Sequence, residues 1–145
     1  MKYRILITGL VLSLFILSCK EKKKSGEVDS TTSKMEEVMA IHDEVMPKMS
    51  TIGKLVADLK PKVDTTATGI EYKKAMNELQ DAHKSMMDWM QGFGKRFDSD
   101  EILNGKALSA QKKEWLMEEE EKVKAMRDQV NSSIENAERL LQNPD

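Results

Sequence analysis

The chain is poor in the residues that most catalytic and metal-binding motifs require. Cys19 is the only cysteine among 145 residues, so neither an internal disulfide nor a multi-cysteine metal site can form. No Gly-rich phosphate loop, no Gly-x-Ser-x-Gly turn and no His-Glu-x-x-His motif occurs, and we expect no enzymatic activity. Lys and Arg number 23 against 25 Asp and Glu, and no basic face indicates nucleic acid as a partner.

Long apolar runs are also scarce, and the single run lies at the amino end. It extends from Ile5 to Leu17, which is shorter than the roughly 20 residues that a membrane-spanning helix requires. Lys2 and Arg4 precede this run, and small Ser18 follows it. A positive start, a short apolar core and a small residue at the cleavage site are typical of a secretory signal peptide. We therefore expect residues 1–18 to be removed.

The end of the apolar run resembles the lipobox of bacterial lipoproteins, and it reads Ile16-Leu17-Ser18-Cys19. This resemblance implies that Cys19 is lipidated, and several acyl chains would hold the protein to a membrane stably. Lys20 replaces the aspartate that often retains lipoproteins at the inner membrane, so the resemblance favours the outer membrane, facing the periplasm. An ordinary signal peptide with an incidental cysteine is the alternative.

The segment after Cys19 is polar and reads KEKKKSGEVDSTTS from Lys20 to Ser33. It contains a glycine, several Ser and Thr residues and no periodic apolar positions, which is typical of a flexible linker. We therefore predict that residues 19–33 form a lipidated tether, with the folded domain at 34–142.

Apolar residues recur at heptad spacing after the tether and predict three amphipathic helices over about 34–60, 69–94 and 109–141. The motifs Ser33-x-x-Glu36 and Thr68-x-x-Glu71 are read as capping boxes at the first two helix starts. Pro47 predicts a kink in the first helix. Ser109 can cap the third helix, and Asn104-Gly105 predicts a turn before it.

No stretch alternates with period two, so we predict an all-α fold without strands. Three amphipathic helices of this length predict an elongated, coiled-coil-like antiparallel three-helix bundle. An open helical hairpin that dimerises is the structural alternative.

Three segments carry a resemblance to a known group of proteins, and they read MAIHDEVMPKM at 39–49, MMDWM at 86–90 and FDSDEILNG at 97–105. They are similar to small Bacteroidota lipoproteins labelled "viral A-type inclusion protein". The resemblance covers most of the chain after the tether and implies a lipoprotein with a helical bundle. It implies no viral role and identifies no functional residues.

Both histidines, His42 and His83, fall on apolar stripes. If the first two helices pack antiparallel, residues whose numbers sum to about 129 lie at the same height. His42 is then level with Met86 and His83 with Met46. A polar layer that fixes helix register is one interpretation. The other is a metal site formed by these four residues, which would suit Cu(I) through imidazole and thioether or zinc through imidazole and carboxylate. A haem held between His and Met is a third.

An acidic run at 118–121 interrupts the apolar stripe of the third helix, so one of its members must turn toward the core. We expect Glu119 or Glu120 to reach the height of the two histidines.

Methionine is abundant, with 11 residues, and usually fills gaps between helices. An alternative is a soft groove for apolar partners or lipid chains, for which Met87, Trp89 and Trp115 are the candidate lining residues.

Together these features predict a lipid-anchored helical module of the cell envelope that binds or scaffolds an envelope protein without catalysis. Beyond the lipid on Cys19 we expect no cofactor. Periplasmic copper or zinc binding through His42, His83, Met46 and Met86 is the alternative function.

Overall fold

The computed structural model describes residues 28–143, and the predicted all-α fold is confirmed there, with helices and no strands. The elements are α1 (Val28–Val45), α2 (Lys48–Leu59), a 3-10 turn (Lys60–Lys62), α3 (Ala67–Arg96), α4 (Ser99–Leu103) and α5 (Ala110–Gln142). None of the helices in this part of the chain is long and apolar enough to cross a membrane. The predicted signal peptide and Cys19 lie outside the described residues.

One apolar core joins three helical segments. The first segment consists of α1 and α2, the second is α3, and the third is α5. The stripe predicted for α3 is confirmed, because its heptad positions are all buried: Tyr72, Ala75, Leu79, Ala82, Met86, Trp89 and Phe93. Helix α5 packs along α3 and also against α1 and α2, while α2 packs on α3 as well. Burial of these stripes against one another is the main stabilising contribution to such a fold.

Polar contacts across the seam between α3 and α5 define their relative direction. Asn136 Nδ2 donates to Glu78 Oε2 over 2.8 Å. Arg96 Nη1 donates to Glu118 Oε2 over 2.6 Å. The later residue of α3 thus pairs with the earlier residue of α5, and the two helices run antiparallel.

The first segment runs in the same direction as α5. Lys34 in α1 forms an ion pair with Glu120. Further along, Lys48 Nζ in α2 donates to Asn131 Oδ1 over 2.7 Å. Residue numbers therefore rise together along this seam, and α3 is antiparallel to both of its neighbours.

The kink predicted at Pro47 is confirmed as a break between α1 and α2. Proline has no N–H to donate to the Asp43 carbonyl, so the ladder of helical hydrogen bonds is interrupted. The Met46 N–H still reaches the His42 carbonyl over 2.9 Å, and the Met49 N–H donates to the Met46 carbonyl over 3.2 Å as the next helix begins. Pro47 is exposed, so its ring displaces no core side chain.

The first helix begins earlier than the sequence suggests, at Val28 and not near residue 34. The interpretation of Ser33 and Glu36 as a capping box is therefore wrong, because Ser33 lies inside a helix. Residues 28–33, expected in the tether, are helical. Thr32 is half-buried, and a Cβ built at Gly105 would lie 3.8 Å from its Cγ2. The start of α1 thus lies beside the α4 connector, a proximity that local propensity does not contain.

Helix α3 also begins earlier than predicted, because Thr66 and not Thr68 is its N-cap. Thr66 Oγ1 accepts a hydrogen bond from the Gly69 N–H over 3.0 Å. Asp64 Oδ1 in turn accepts from the Thr66 N–H over 2.9 Å. The Asp64 carboxylate fits only because residue 69 is glycine, since a Cβ there would lie 1.8 Å from Asp64 Oδ1.

The connector between α3 and α5 contains the short helix α4, and the predicted N-cap at Ser109 is confirmed. Helix α4 begins with a capping box that the sequence interpretation missed. Asp98 Oδ1 accepts from the Glu101 N–H over 3.0 Å, and Glu101 Oε2 accepts from the Asp98 N–H over 2.9 Å. Gly105 has φ +66, a left-handed conformation that favours glycine in the predicted turn.

Candidate functional site

His42 lies in the last turn of α1 and faces α3. Its ring centroid is 5.7 Å from that of Trp89, and its Nδ1 is 2.9 Å from Asp43 Oδ1. The ring is half-buried. The residue numbers of this contacting pair, 42 and 89, sum to 131. This agrees with the sum of about 129 predicted for two antiparallel helices.

The other three predicted metal ligands lie in different environments. Met86 is fully buried, His83 is exposed, and Met46 is 39% exposed at the α1–α2 break. The structure thus does not bring the four side chains into one buried layer. Residues at the same height need not point the same way, because successive positions on a helix turn by about 100°. Within residues 28–143, no group of three or more His, Cys, Asp and Glu side chains is placed to hold a metal ion.

The acidic run of α5 turns two carboxylates inward, where the sequence predicted one. Glu119 is 2% exposed. Its Oε1 accepts from Lys122 Nζ over 2.9 Å and lies 3.1 Å from Arg96 Nη1. Arg96 belongs to α3 and lies thirteen residues beyond His83, about 20 Å along the helix. The expectation that Glu119 reaches the height of the histidines is therefore wrong, and this buried carboxylate links α3 and α5 instead.

Glu120 is the second buried carboxylate, and it faces α1. It forms ion pairs with Lys124, at 2.5 Å, and with Lys34 of α1. Hydrogen bonds first from Lys124 and then from Lys34 lower the pKa of Glu120 below its ordinary value, and they outweigh the opposing effect of burial. Lys124 follows Glu120 at the helical spacing of four residues, which the sequence alone shows, whereas the pairing with Lys34 is revealed only by the fold.

Trp89 begins a column of aromatic rings along α3. Its ring centroid lies 4.8 Å from that of Phe93, and Phe93 lies 4.8 Å from Phe97. Trp89 is 7% exposed, and its indole N–H has no acceptor among the described residues. A buried donor without a partner is destabilising, so the apolar contacts of the ring must offset that cost.

The groove predicted from Met87, Trp89 and Trp115 is not a single surface. Trp89 is buried, whereas Trp115 is half-buried, with the Arg96 guanidinium 5.3 Å from its ring. Met87 is 50% exposed. It precedes Arg96 by nine residues, which corresponds to about 14 Å along α3. These three side chains therefore do not form one groove.

Three exposed residues on α3, which we call the α3 row, share one helical face: His83, Met87 and Met90. Their spacing of four and then three residues places neighbours on the same side of the helix. Met90 is 36% exposed, so both methionines of the row are partly accessible to solvent. The sequence places His83 on an apolar stripe, and only the packing shows that this side of α3 stays open.

A polar groove with a volume of about 390 Å³ lies between α3 and α5. The sequence interpretation did not identify it, because its side chains come from two distant helices. Carboxylate, amide and hydroxyl groups form its walls: Glu78, Asp81, Gln129, Ser132, Ser133 and Asn136. Such a surface can hydrogen-bond and attract cationic groups.

Comparison with protein-family models, curated proteins and solved structures gives no match for this chain.

Proposed function

We propose that the protein is a lipid-anchored module of the cell envelope that binds an envelope protein and performs no catalysis. Support for the anchor comes from the sequence Ile16-Leu17-Ser18-Cys19 after a short apolar run. Lys20 directly after Cys19 supports an outer-membrane location, with the folded part facing the periplasm. The folded part would be an elongated, antiparallel three-helix bundle.

The position of the first helix is the observation that carries this proposal. Thr32 in α1 lies beside Gly105, so the chain enters the fold at the same end as the α4 connector. Cys19 precedes Val28 by nine residues, which span at most about 30 Å when fully extended. A lipid on Cys19 would therefore keep the α4 end near the membrane. Helix α5, at 33 residues, would project the opposite end about 50 Å away.

The paired buried carboxylates support a scaffold rather than an active site. Glu119 and Glu120 bind Lys and Arg side chains of three helices. Glu101 completes the α4 capping box and accepts from Lys112 Nζ over 2.5 Å. Each of these carboxylates is thus engaged by partners within the fold, and removing a partner would leave a buried charge unpaired.

The polar groove is the surface that we assign to the partner. Glu78 and Asp81 give it two carboxylates, and Gln129 contributes an amide. A partner segment with basic side chains complements this chemistry. The groove lies about 20 Å or more along α3 from the tether end. At that distance from the membrane a partner could reach it.

The anchor is tested by fractionating cells that express the full chain. Cys19→Ser should release the protein from membranes or leave an unprocessed precursor, whereas Ser25→Ala in the predicted tether should behave like wild type. Mass spectrometry should find the wild-type protein without residues 1–18 and with added lipid. Full membrane retention of processed Cys19→Ser would exclude the lipoprotein assignment.

Partner binding is tested with photo-crosslinking residues introduced into the full chain in intact cells. A probe at Gln129 in the groove should yield one discrete adduct, and a probe at exposed Gln91 on α3 should not. A groove position that gives no adduct, or the same adducts as Gln91, would count against the assigned surface.

A monomer is expected, because α5 packs along both α3 and the α1–α2 segment. Sedimentation equilibrium in detergent should return one chain per particle. A dimer would favour the open hairpin instead.

A further inference from the structure

The α3 row is an unusual combination of exposed side chains. Met87 is 50% exposed and Met90 is 36% exposed, although methionine is more often buried in a helical core. His83, the preceding member, is also exposed. Because the three belong to one helix, their relative placement follows from helix geometry alone.

Helical spacing brings these side chains within reach of one ion. Residues four or three apart on a helix have Cβ atoms about 5–6 Å apart. Met87 is the central member, four residues after His83 and three before Met90. An imidazole and two thioethers can therefore converge above the position of Met87 by side-chain rotation.

A fourth soft side chain lies on the neighbouring segment. The contact of His42 with Trp89 sets the relative height of α1 and α3. Met46 is four residues beyond His42, about 6 Å along the segment. His83 is about 9 Å from Trp89 in the same direction, because α3 runs antiparallel. Met46, which is 39% exposed, thus lies near the height of His83.

We propose that the α3 row binds one Cu(I) ion through the His83 imidazole and the thioethers of Met87 and Met90. Thioether and imidazole ligands suit Cu(I), whereas zinc prefers thiolate, imidazole and carboxylate. This ligand set replaces the one predicted from sequence, because Met86 is buried and His42 contacts Trp89 and Asp43. The site does not depend on the lipid anchor or on the polar groove.

The same residues could instead form only a soft apolar surface, since methionine adapts to varied partners. Substitution by leucine separates the two possibilities. Leucine keeps the apolar contact and most of the volume but lacks the sulfur atom. Met117, which is 52% exposed on α5, provides a matched control outside the row.

The experiment is an anaerobic titration of the full chain in detergent with Cu(I), in competition with a chromophoric Cu(I) chelator. The wild type should bind about one Cu(I) per chain, and Zn(II) should not displace it. Met87→Leu and His83→Gln should each weaken Cu(I) binding at least about tenfold. Met117→Leu should bind as the wild type does.

X-ray absorption at the copper edge supplies a second measurement that does not depend on the variants. Sulfur and nitrogen scatterers should both surround the ion in the wild type. The proposal is overturned if the wild type does not compete with the chelator, if Met117→Leu loses as much affinity as Met87→Leu, or if the bound ion has no sulfur ligand. Fractionation of Cys19→Ser tests the lipid anchor, and its outcome does not depend on copper binding. The anchor and the copper site are therefore tested separately.

Discussion

Glycine at position 69 is required by the cap of α3, and replacing it gives a sharp test of the fold. A Cβ at this position would lie 1.8 Å from Asp64 Oδ1 and 2.7 Å from the Asp64 backbone nitrogen. The carboxylate can swing away, but the backbone nitrogen moves only if the loop before α3 moves. Gly69→Ala should therefore displace Asp64 and weaken the Thr66 cap.

The expected cost follows from three opposing contributions. Overpacking of this kind costs typically about 1–3 kcal/mol. A weakened Thr66 cap adds about 1 kcal/mol. Alanine recovers up to about 1 kcal/mol of helix propensity relative to glycine. The net loss should be about 1–3 kcal/mol of unfolding free energy, or a Tm lower by roughly 4–12 °C for a domain of this size.

Urea and thermal unfolding, followed by far-UV circular dichroism, measure this loss. Gly53→Ala is the matched control, because no atom lies within 4 Å of a Cβ built there. It should raise the unfolding free energy by about 0.5–1 kcal/mol. In the Asp64→Ala background, Gly69→Ala should still destabilise, since the contact with the backbone nitrogen remains. A Gly69→Ala protein as stable as the wild type would refute the described loop.

Two further predictions concern buried polar groups. The pKa of Glu120 is lowered by hydrogen bonds first from Lys124 and then from Lys34, so their contribution to stability is present above the ordinary value of 4.5 and is lost as the pH falls through the lowered pKa. Glu120→Gln should therefore flatten the acid decline of unfolding free energy in urea titrations between about pH 5 and 3, and a slope equal to that of the exposed control Glu121→Gln would contradict the pairing. Trp89→Phe should cost less than about 1 kcal/mol in urea unfolding, because it removes an indole N–H without an acceptor, whereas Trp89→Ala should cost about 3–5 kcal/mol. Equal losses in the two Trp89 variants would show that the ring does not fill the core as described.

The parts of the fold that depend on periodicity could be predicted from the sequence. The apolar stripe of α3 and the break at Pro47 both follow from local rules, namely the heptad spacing and the missing N–H. The register of α1 and α3 also followed, since the contact of His42 with Trp89 requires only a short turn between two antiparallel helices. Local rules and packing agree at these positions.

The remaining features depend on tertiary contacts that no local rule contains. Thr68 and Ser33 each begin a plausible capping box, but Asp64 favours Thr66 as the α3 cap and the contact with Gly105 accompanies the longer α1. The predicted layer around the two histidines is wrong for a different reason. The relative height of α1 and α3 was predicted correctly, but the height of Glu119 and Glu120 was not, because they pair with Arg96 and Lys34. Side-chain direction was not predicted either, so His83 points to solvent while Met86 lies in the core.

Direction also separates the two surfaces that we assign to binding. Glu78 in the polar groove and His83 in the α3 row are five residues apart, which turns their side chains by about 140° on one helix. Leu79 and Ala82 lie between them in the chain and are fully buried, so the core stripe of α3 divides the two surfaces. Substitutions at Glu78 should therefore impair partner crosslinking without affecting Cu(I) affinity, and substitutions at His83 should do the reverse. Coupled losses would mean that both ligands depend on the stability of α3 rather than on separate faces.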